Sequence, residues 1–180
     1  SVPYKKQDTL GEEVQKQVLL AIQALGMDNC PVNCDLMEKD GKIYVIEITG
    51  RAGGNCLPEM VGIYYGIDYY EAIVRLAMDM QAEELFQDQK NRFQNAAQRK
   101  CGERPENTDG NLRVTPNLSH ILTSDRDGIL KAIHNDNEAS PDLLDLSFNV
   151  EPGEEIRHYE NGRDRLGQVI ICGETLDACE

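Results

Sequence analysis

Two stretches near the amino terminus alternate apolar with polar residues and predict a β-hairpin. They cover residues 33–38 and 43–49 and are joined by Lys39-Asp40-Gly41-Lys42, a sequence typical of a tight turn. Strand side chains point alternately to the two faces of a sheet. On the first strand, this alternation predicts one shared face for Asn33, Asp35 and Met37. On the second strand, it predicts one shared face for Ile43, Val45, Glu47 and Thr49.

The length of the turn decides whether the acidic side chains of the two strands meet. A three-residue loop over 39–41 pairs Asn33 with Glu47 and leaves Asp35 and Glu47 as diagonal neighbours, about 6–8 Å apart at Cβ. A loop over 40–42 places the two acids directly opposite each other. A two-residue turn at Asp40 and Gly41 sends them to opposite faces of the sheet. We therefore predict against the two-residue turn, although Asp-Gly is the pair most typical of it.

Two neighbouring carboxylates on a sheet repel each other unless a cation lies between them. With the Thr49 hydroxyl close by, Asp35 and Glu47 offer the oxygen ligands that suit a hard cation such as Mg²⁺. The following residues, 50–55, combine Arg51 with a glycine-rich backbone that can approach an anion closely. Together these features predict a site that handles phosphate. The alternative is a pair of solvent-facing strand acids followed by a simple flexible turn.

The pattern predicts helices on both sides of the hairpin. Thr9 and Glu12 form a capping box before apolar residues at helical spacing, and Gly26 is placed to end that helix, which we expect to pack on the hairpin. Pro58 suits the first turn of a short helix that runs to about Tyr65. Asp68 is expected to cap a further helix. Downstream of a polar stretch, short strands joined by tight turns indicate a small antiparallel sheet.

The composition narrows the range of partners. The 180 residues carry 32 acidic and 18 basic side chains, a net charge of −14. Nucleic acids and anionic membrane surfaces attract Lys and Arg, so we expect neither as a partner. No stretch approaches the ~20 continuous apolar residues of a transmembrane helix, and we expect a cytoplasmic location. The 6 cysteines lack CxxC spacing, which favours free thiols over a zinc site or disulfides.

The hairpin sequence resembles the metal-binding hairpin of the ATP-grasp ligases. The similarity lies in residues 32–37, in Asp40-Gly41 and in residues 44–51, where the family usually ends its second strand with Glu-Ile-Asn-Pro-Arg. A second similarity lies in residues 150–153, 161–170 and 173–175, which resemble the carboxy-terminal segment of the amino-acid-ligase type of these enzymes.

The resemblance implies a role for individual residues of the hairpin. Asp35 and Glu47 match the metal carboxylates, and Arg51 matches the arginine that faces phosphate or substrate. Thr49 stands where the family usually has a metal-binding Asn, so the question whether a second metal ion binds stays open. The implied metal ligands are Asp35, Glu47 and Thr49, for Mg²⁺ or Mn²⁺. The implied contacts to ATP and the acyl phosphate are Glu47, Arg51, Gly53 and Gly54, with Arg51 as the catalytic residue.

The resemblance also implies an α+β fold and a division of the chain. We expect the carboxy-terminal lobe of an ATP-grasp ligase over residues 1–83, a polar flexible linker over 84–116 and a small antiparallel β subdomain over 117–180. Residues 1–32 cannot supply the glycine-rich lid and the phosphate-binding lysines of the amino-terminal lobe. We therefore expect the chain to be the carboxy-terminal part of a longer ligase, or one half of a split enzyme, and to be inactive alone.

The implied activity is an ADP-forming ligation. ATP phosphorylates a small carboxylate to an acyl phosphate, which an amine, or alternatively a thiol, then attacks. Two alternatives stay open. One is a non-catalytic binding or assembly module, which Thr49 favours slightly. The other is half of a split enzyme similar to carbamoyl-phosphate synthase, although residues 161–170 favour the amino-acid-ligase type.

Overall fold

The computed structural model of the protein describes residues 1–87, 115–136 and 140–179, apart from the side chain of Gln7. Its described residues fall into two compact units. Residues 2–87 belong to the amino-terminal unit, and residues 115–136 and 140–179 belong to the carboxy-terminal unit. Most of the predicted linker over 84–116 lies outside the described residues, so the domain boundaries stay predictions. Residues 84–87 continue a helical segment that begins at residue 82.

The amino-terminal unit combines a β-hairpin with helices, as the sequence predicts. Its labelled elements, in chain order, are α1 (Gln7–Leu25), β1 (Asn33–Lys39), β2 (Lys42–Thr49), α2 (Leu57–Tyr65) and α3 (Tyr69–Leu76). Helix α1 contacts strand β2, which confirms the predicted packing of this helix on the hairpin. The buried apolar side chains come from β2, the start of α2, α3 and the 82–87 segment, and include Ile43, Met60, Ala72 and Leu85.

The helix ends agree with the predicted signals except at the start of α1. Gly26 adopts a left-handed conformation and ends α1, as predicted. The side chain of Asp68 accepts a hydrogen bond of 2.8 Å from the backbone N–H of Glu71 and caps α3. The capping box at Thr9 is wrong, because α1 begins at Gln7 and the Thr9 hydroxyl donates to the carbonyl oxygen of Lys6.

A two-residue turn closes the hairpin, which corrects the prediction made against it. Lys39 pairs with Lys42, and the turn residues Asp40 and Gly41 have φ angles of 53° and 73°. Positive φ at both positions is typical of the type I′ turn, whose twist matches that of the flanking strands. The usual preference of Asp-Gly for this turn therefore prevails over the argument from the position of the acids.

A β-bulge in β2 makes the two-residue turn compatible with a meeting of the acids. Leu36 pairs with Val45, but its neighbour Asp35 pairs with Glu47, so Ile46 is an extra residue without a partner of its own. One extra residue reverses the alternation of the residues beyond it. The prediction that this turn separates the two acids is therefore wrong, because it assumed a regular ladder.

The bulge also corrects the predicted shared face of β2. Ile43 and Val45 remain together on one face, where Ile43 is buried. Glu47 and Thr49 lie on the other face, with Asp35, as the pairing beyond the bulge requires. The inner face thus carries Leu36, Ile43 and Val45, with Glu38 near the turn, and the outer face is polar at the open end of the hairpin.

The carboxy-terminal unit is built on antiparallel strands, which confirms the predicted sheet and the α+β class. Strands β3 (Asn117–Leu122), β7 (Gly167–Cys172) and β5 (Leu143–Phe148) form a three-stranded sheet with β7 in the centre. Strands β4 (Gly128–Ile129) and β6 (Glu155–Ile156) form a short separate ladder. A 3₁₀ helix at Asp177–Cys179 follows the sheet. In the described parts of both units, no helix is long and apolar enough to cross a membrane.

Candidate metal and phosphate site

Asp35 and Glu47 face each other directly across the hairpin. Paired residues of an antiparallel ladder have Cβ atoms about 4.5–5.5 Å apart, so the two carboxylates lie closer than the sequence predicts. Both side chains are exposed on the outer face. Within the described residues, neither carboxylate has an ion pair with a basic side chain. The outer face therefore carries two adjacent negative charges whose repulsion a bound cation would relieve.

Asn33 belongs to this cluster, although the sequence argument leaves it out of the candidate ligands. Its Nδ2 donates to Oδ1 of Asp35 over 3.4 Å, and it pairs in the ladder with Thr49. The Thr49 hydroxyl donates to the carbonyl oxygen of Asn33, also over 3.4 Å. The sequence places Asn33 on the face of Asp35, but only the bulge brings it opposite Thr49. Asn33 therefore connects two of the predicted ligands.

The oxygen donors of the cluster fit a magnesium ion. Two carboxylates and a hydroxyl are ligands that Mg²⁺ accepts, and this ion normally completes its shell with water and substrate phosphate. The Thr49 hydroxyl keeps lone pairs available while its proton bonds to Asn33. The described residues contain no group of three or more His, Cys, Asp and Glu side chains arranged to hold a metal alone. With two carboxylates and one hydroxyl, the cluster would leave coordination positions of such an ion to water and a phosphate ligand.

The glycine-rich loop lies against the start of β1. A Cβ atom on Gly53 would come within 2.6 Å of Oδ1 of Asn33 and 2.7 Å of Cδ1 of Leu57. Gly54, by contrast, has open space around it. Only a residue without a side chain permits the close approach at Gly53, which brings the loop backbone next to the carboxylate cluster.

Arg51 and the start of α2 complete the loop. Arg51 is exposed, and its Nη1 donates to the carbonyl oxygen of Ala52 over 2.8 Å. No acidic side chain of the described residues forms an ion pair with Arg51. The loop ends where Leu57 N–H donates to the Gly54 carbonyl and α2 begins with Pro58 in its first turn, as predicted. The Arg51 charge is therefore available to an anionic ligand.

Cys34 is the ionisable neighbour of the cluster. It alternates with Asp35 on β1 and so lies on the other face. Burial raises the pKa of the Cys34 thiol, and the Asp35 carboxylate raises it further. The thiol stays protonated at neutral pH and is a poor nucleophile. Cysteines 30, 34, 56, 172 and 179 are all free thiols.

A second polar pair joins α2 to α3. The Tyr70 hydroxyl donates to Oε1 of Glu59 over 2.7 Å, while Oε2 of Glu59 is buried and has no hydrogen-bond partner among the described residues. The hydrogen bond to Glu59, followed by burial, raises the pKa of Tyr70 to about 12. Tyr70 therefore remains a donor at neutral pH. This pair and the edge-to-face contact of Tyr64 with Tyr65 agree with tyrosines that pack at a helix junction.

The glycine contact yields a prediction that the 180-residue chain can test. Replacing Gly53 with alanine should destabilise the chain by about 1–3 kcal/mol, since the new methyl group must displace Asn33 and Leu57. The displacement should also weaken Mg²⁺ binding, because Asn33 bonds to Asp35. Urea unfolding with and without Mg²⁺ measures both effects.

Gly54→Ala is the matched control for that experiment. The same methyl group meets no atom of the described residues within 4 Å there, and a loss of stability well below that of Gly53→Ala is expected. Equal losses for the two variants would show that close approach at Gly53 is not what fixes the loop.

Two proteins of known structure are similar to this chain. The chain is similar in structure to phosphoribosylglycinamide synthetase from Anaerococcus prevotii, with a TM-score of 0.80 and 35% sequence identity over 99% of the chain. It is also similar in fold to an L-amino acid ligase from Bacillus licheniformis, with a TM-score of 0.71 and 18% identity over 98% of the chain. The chain spans only 40% and 39% of these two proteins. A search of curated proteins found no match.

These similarities define the chain as a carboxy-terminal portion of an ATP-grasp ligase, with the α+β fold of that class. Its last third, residues 120–180, matches the family described as L-amino acid ligase C-terminal domain 2. The structural similarity covers the hairpin and the family match covers the downstream segment, and together they confirm the resemblance to this class of ligase. The individual roles of Asp35, Glu47, Thr49, Arg51, Gly53 and Gly54 stay predictions.

Proposed function

We propose that the chain forms the metal and acyl-phosphate side of the active site in an ADP-forming ligase. The enzyme would join a small carboxylate to an amine, with a thiol as the alternative nucleophile. The observation that carries the proposal is the direct opposition of Asp35 and Glu47 beside a glycine-rich loop with an available arginine. ATP and the rest of the active site would come from an amino-terminal lobe, in the same longer chain or in a partner subunit.

The reaction requires charge to be neutralised while it moves between two anions. The carboxylate oxygen bonds to the γ-phosphorus of ATP and the bond from that phosphorus to the bridging oxygen breaks, which gives an acyl phosphate and ADP. The amine then attacks the acyl carbon, loses a proton and releases inorganic phosphate. The protein takes little direct part in the covalent chemistry, so charges held in position supply most of the catalysis.

Each candidate residue has a separate part in this proposal. Asp35 and Glu47 would hold Mg²⁺ or Mn²⁺, with the Thr49 hydroxyl bound to the ion or to one of its waters. The ion would supply charge neutralisation at the phosphates of ATP. Asn33 would orient the Asp35 carboxylate through its side-chain N–H.

Arg51 and the loop backbone would bind the anionic reactants. The Arg51 guanidinium can make paired hydrogen bonds to the acyl phosphate or to the substrate carboxylate. Gly53 and Gly54 would allow the acceptor to approach their backbone N–H groups. The family match of residues 120–180 makes L-amino acids the first carboxylates to test. A cytoplasmic location, where ATP and Mg²⁺ are plentiful, belongs to the same proposal.

Trapping with hydroxylamine tests the reaction type without knowledge of the natural amine. The complete ligase that carries this chain is incubated with Mg-ATP, hydroxylamine and each amino acid in turn. We expect one or a few amino acids to give equal amounts of ADP and hydroxamate, because hydroxylamine intercepts the acyl phosphate. Formation of AMP and pyrophosphate would contradict the proposal. A complete ligase that binds Mg-ATP but turns over no carboxylate would favour the non-catalytic module instead.

A further inference from the structure

The carboxy-terminal unit contains a cavity that the proposed ligase chemistry does not use. Its volume is about 230 Å³, and it lies between the end of β6 and the segment that leads into β7. Three arginines line it: Arg157, Arg163 and Arg165. Two acidic residues, Glu155 and Asp164, also line it.

The three arginines share one cavity in a chain that is acidic as a whole. The chain has a net charge of −14, and the acidic residues Glu155 and Asp164 line the same cavity. Among the described residues, Arg157, Arg163 and Arg165 form no side-chain ion pair or hydrogen bond. Arg165 is also half-buried, which makes its unpaired charge more costly than that of an exposed arginine. Their clustering therefore calls for an anionic partner.

The acid between two of these arginines is already engaged with the backbone. Oδ2 of Asp164 accepts hydrogen bonds from the N–H groups of Asn161, over 3.0 Å, and Glu160, over 3.2 Å. The N–H of Arg163 in turn donates to Oδ1 of Asn161 over 3.0 Å. These bonds fix the turn that carries Arg163 and Arg165. The Asp164 carboxylate thus shapes the turn, and its lone pairs are only partly free for the guanidinium groups.

The neighbouring backbone holds the rest of the cavity wall in place. Strand β6 pairs with β4, and Leu166 N–H donates to the carbonyl oxygen of Leu122 over 2.8 Å. The N–H of His158 donates to Oδ1 of Asp127 over 2.7 Å, beside Arg157 in the sequence. Arg157 and Arg165 therefore lie on two segments, one on each side of the cavity, and hydrogen bonds hold both segments in place.

We propose that this cavity binds a phosphate group. Guanidinium groups donate paired hydrogen bonds to phosphate oxygens and remain charged at all physiological pH values. Three arginines that line one small cavity can each serve a different oxygen of a tetrahedral anion. A carboxylate has only two oxygens, in one plane, and would leave at least one of the three arginines without a well-placed acceptor. The site is distinct in sequence from the carboxylate cluster of the hairpin and does not depend on its role.

Titration of the 180-residue chain with inorganic phosphate tests the proposal. Isothermal calorimetry at ~0.15 M NaCl, where surface charges are largely screened, is compared for the wild type and three variants. Arg157→Gln, Arg163→Gln and Arg165→Gln should each weaken phosphate binding about tenfold or more, since each removes charge-assisted hydrogen bonds. Circular dichroism confirms that each variant keeps the fold.

Arg126→Gln is the matched control. It makes the same change of charge in the same unit, but Nε of Arg126 lies 3.9 Å from Oδ1 of Asp125 and its side chain is exposed. Its phosphate affinity should stay within about twofold of the wild type. Equal weakening by Arg126→Gln, or no saturable phosphate binding by the wild type, would overturn the proposal. Tighter binding of malonate than of phosphate would overturn the assignment of a phosphate group.

Discussion

Replacing Glu47 with glutamine should lower turnover of the complete ligase by at least about a thousandfold. The amide keeps the shape of the side chain but loses the charge that would hold the metal opposite Asp35. A bound metal contributes several kcal/mol to charge stabilisation in the transition state, and each 1.36 kcal/mol corresponds to about tenfold in rate. Initial rates of ADP release, measured with the amino acid identified by hydroxamate formation, provide the test.

The fold should survive the Glu47 substitution. Glu47 is exposed, and removal of one of two opposing carboxylates should raise the stability of the metal-free chain by about 0.2–1 kcal/mol. Glu38→Gln is the control within the same hairpin. It removes an acid that pairs with Lys6 at 2.7 Å on the other face, and turnover should stay near that of the wild type. Near wild-type turnover of Glu47→Gln would remove Glu47 from the mechanism.

Replacing Arg51 with alanine should lower turnover about a hundredfold or more while Mg²⁺ binding is retained. The guanidinium has no acidic partner among the described side chains, and loss of a donor to a developing anion typically costs 10²–10³ in rate, so ~10² is a conservative expectation. Lysine at this position keeps the charge but not the paired donors, so Arg51→Lys should recover only part of the loss. Steady-state kinetics and Mg²⁺ titration are measured for both variants.

Lys39→Ala controls for the general loss of a positive charge on the hairpin. Lys39 pairs with Lys42 beside the turn, at the end of β1 opposite to Asn33. Its removal should leave kcat and KM within about twofold of the wild type. Unchanged kinetics in Arg51→Ala would refute the catalytic role of Arg51. Loss of Mg²⁺ binding in the same variant would show that Arg51 supports the metal site instead.

The sequence predicts the elements well because their signals are local. Gly26 and Asp68 act on the turn of chain next to them, so their helix ends follow from nearby residues. Thr9 shows the limit of this reasoning. A capping residue competes with alternatives a few residues away, and here the helix extends back to Gln7.

The geometry of the site depends on the β-bulge at Ile46, which no local sequence signal predicts. Alternation predicts which strand residues share a face only while the ladder stays regular. The extra residue Ile46 breaks that regularity, and Ile-Glu-Ile gives no composition signal for a bulge. The prediction that Asp35 and Glu47 are neighbours on one face is therefore correct, but the turn on which that prediction was based is wrong. The resemblance to the ATP-grasp hairpin identified the same residues without knowledge of the register.

The sequence alone also does not predict contacts between segments that are far apart along the chain. Asn33 joins the cluster by pairing with Thr49, 16 positions further along the chain, and only the folded structure places Gly53 against it. The cavity arginines lie on two segments whose approach depends on the pairing of β6 with β4 and on the turn held by Asp164. In both cases the residue types were visible in the sequence, but their partners were not.

The most direct test of the account is a Mg²⁺ titration of the 180-residue chain followed by amide NMR. The opposed carboxylates predict saturable shifts confined to Asn33, Asp35, residues 47–54 and their neighbours in the hairpin. The same titration of Glu47→Gln should abolish those shifts and leave the spectrum of the rest of the chain unchanged. Equal shifts in the wild type and in Glu47→Gln, or shifts centred on other acidic residues, would contradict a metal site between Asp35 and Glu47.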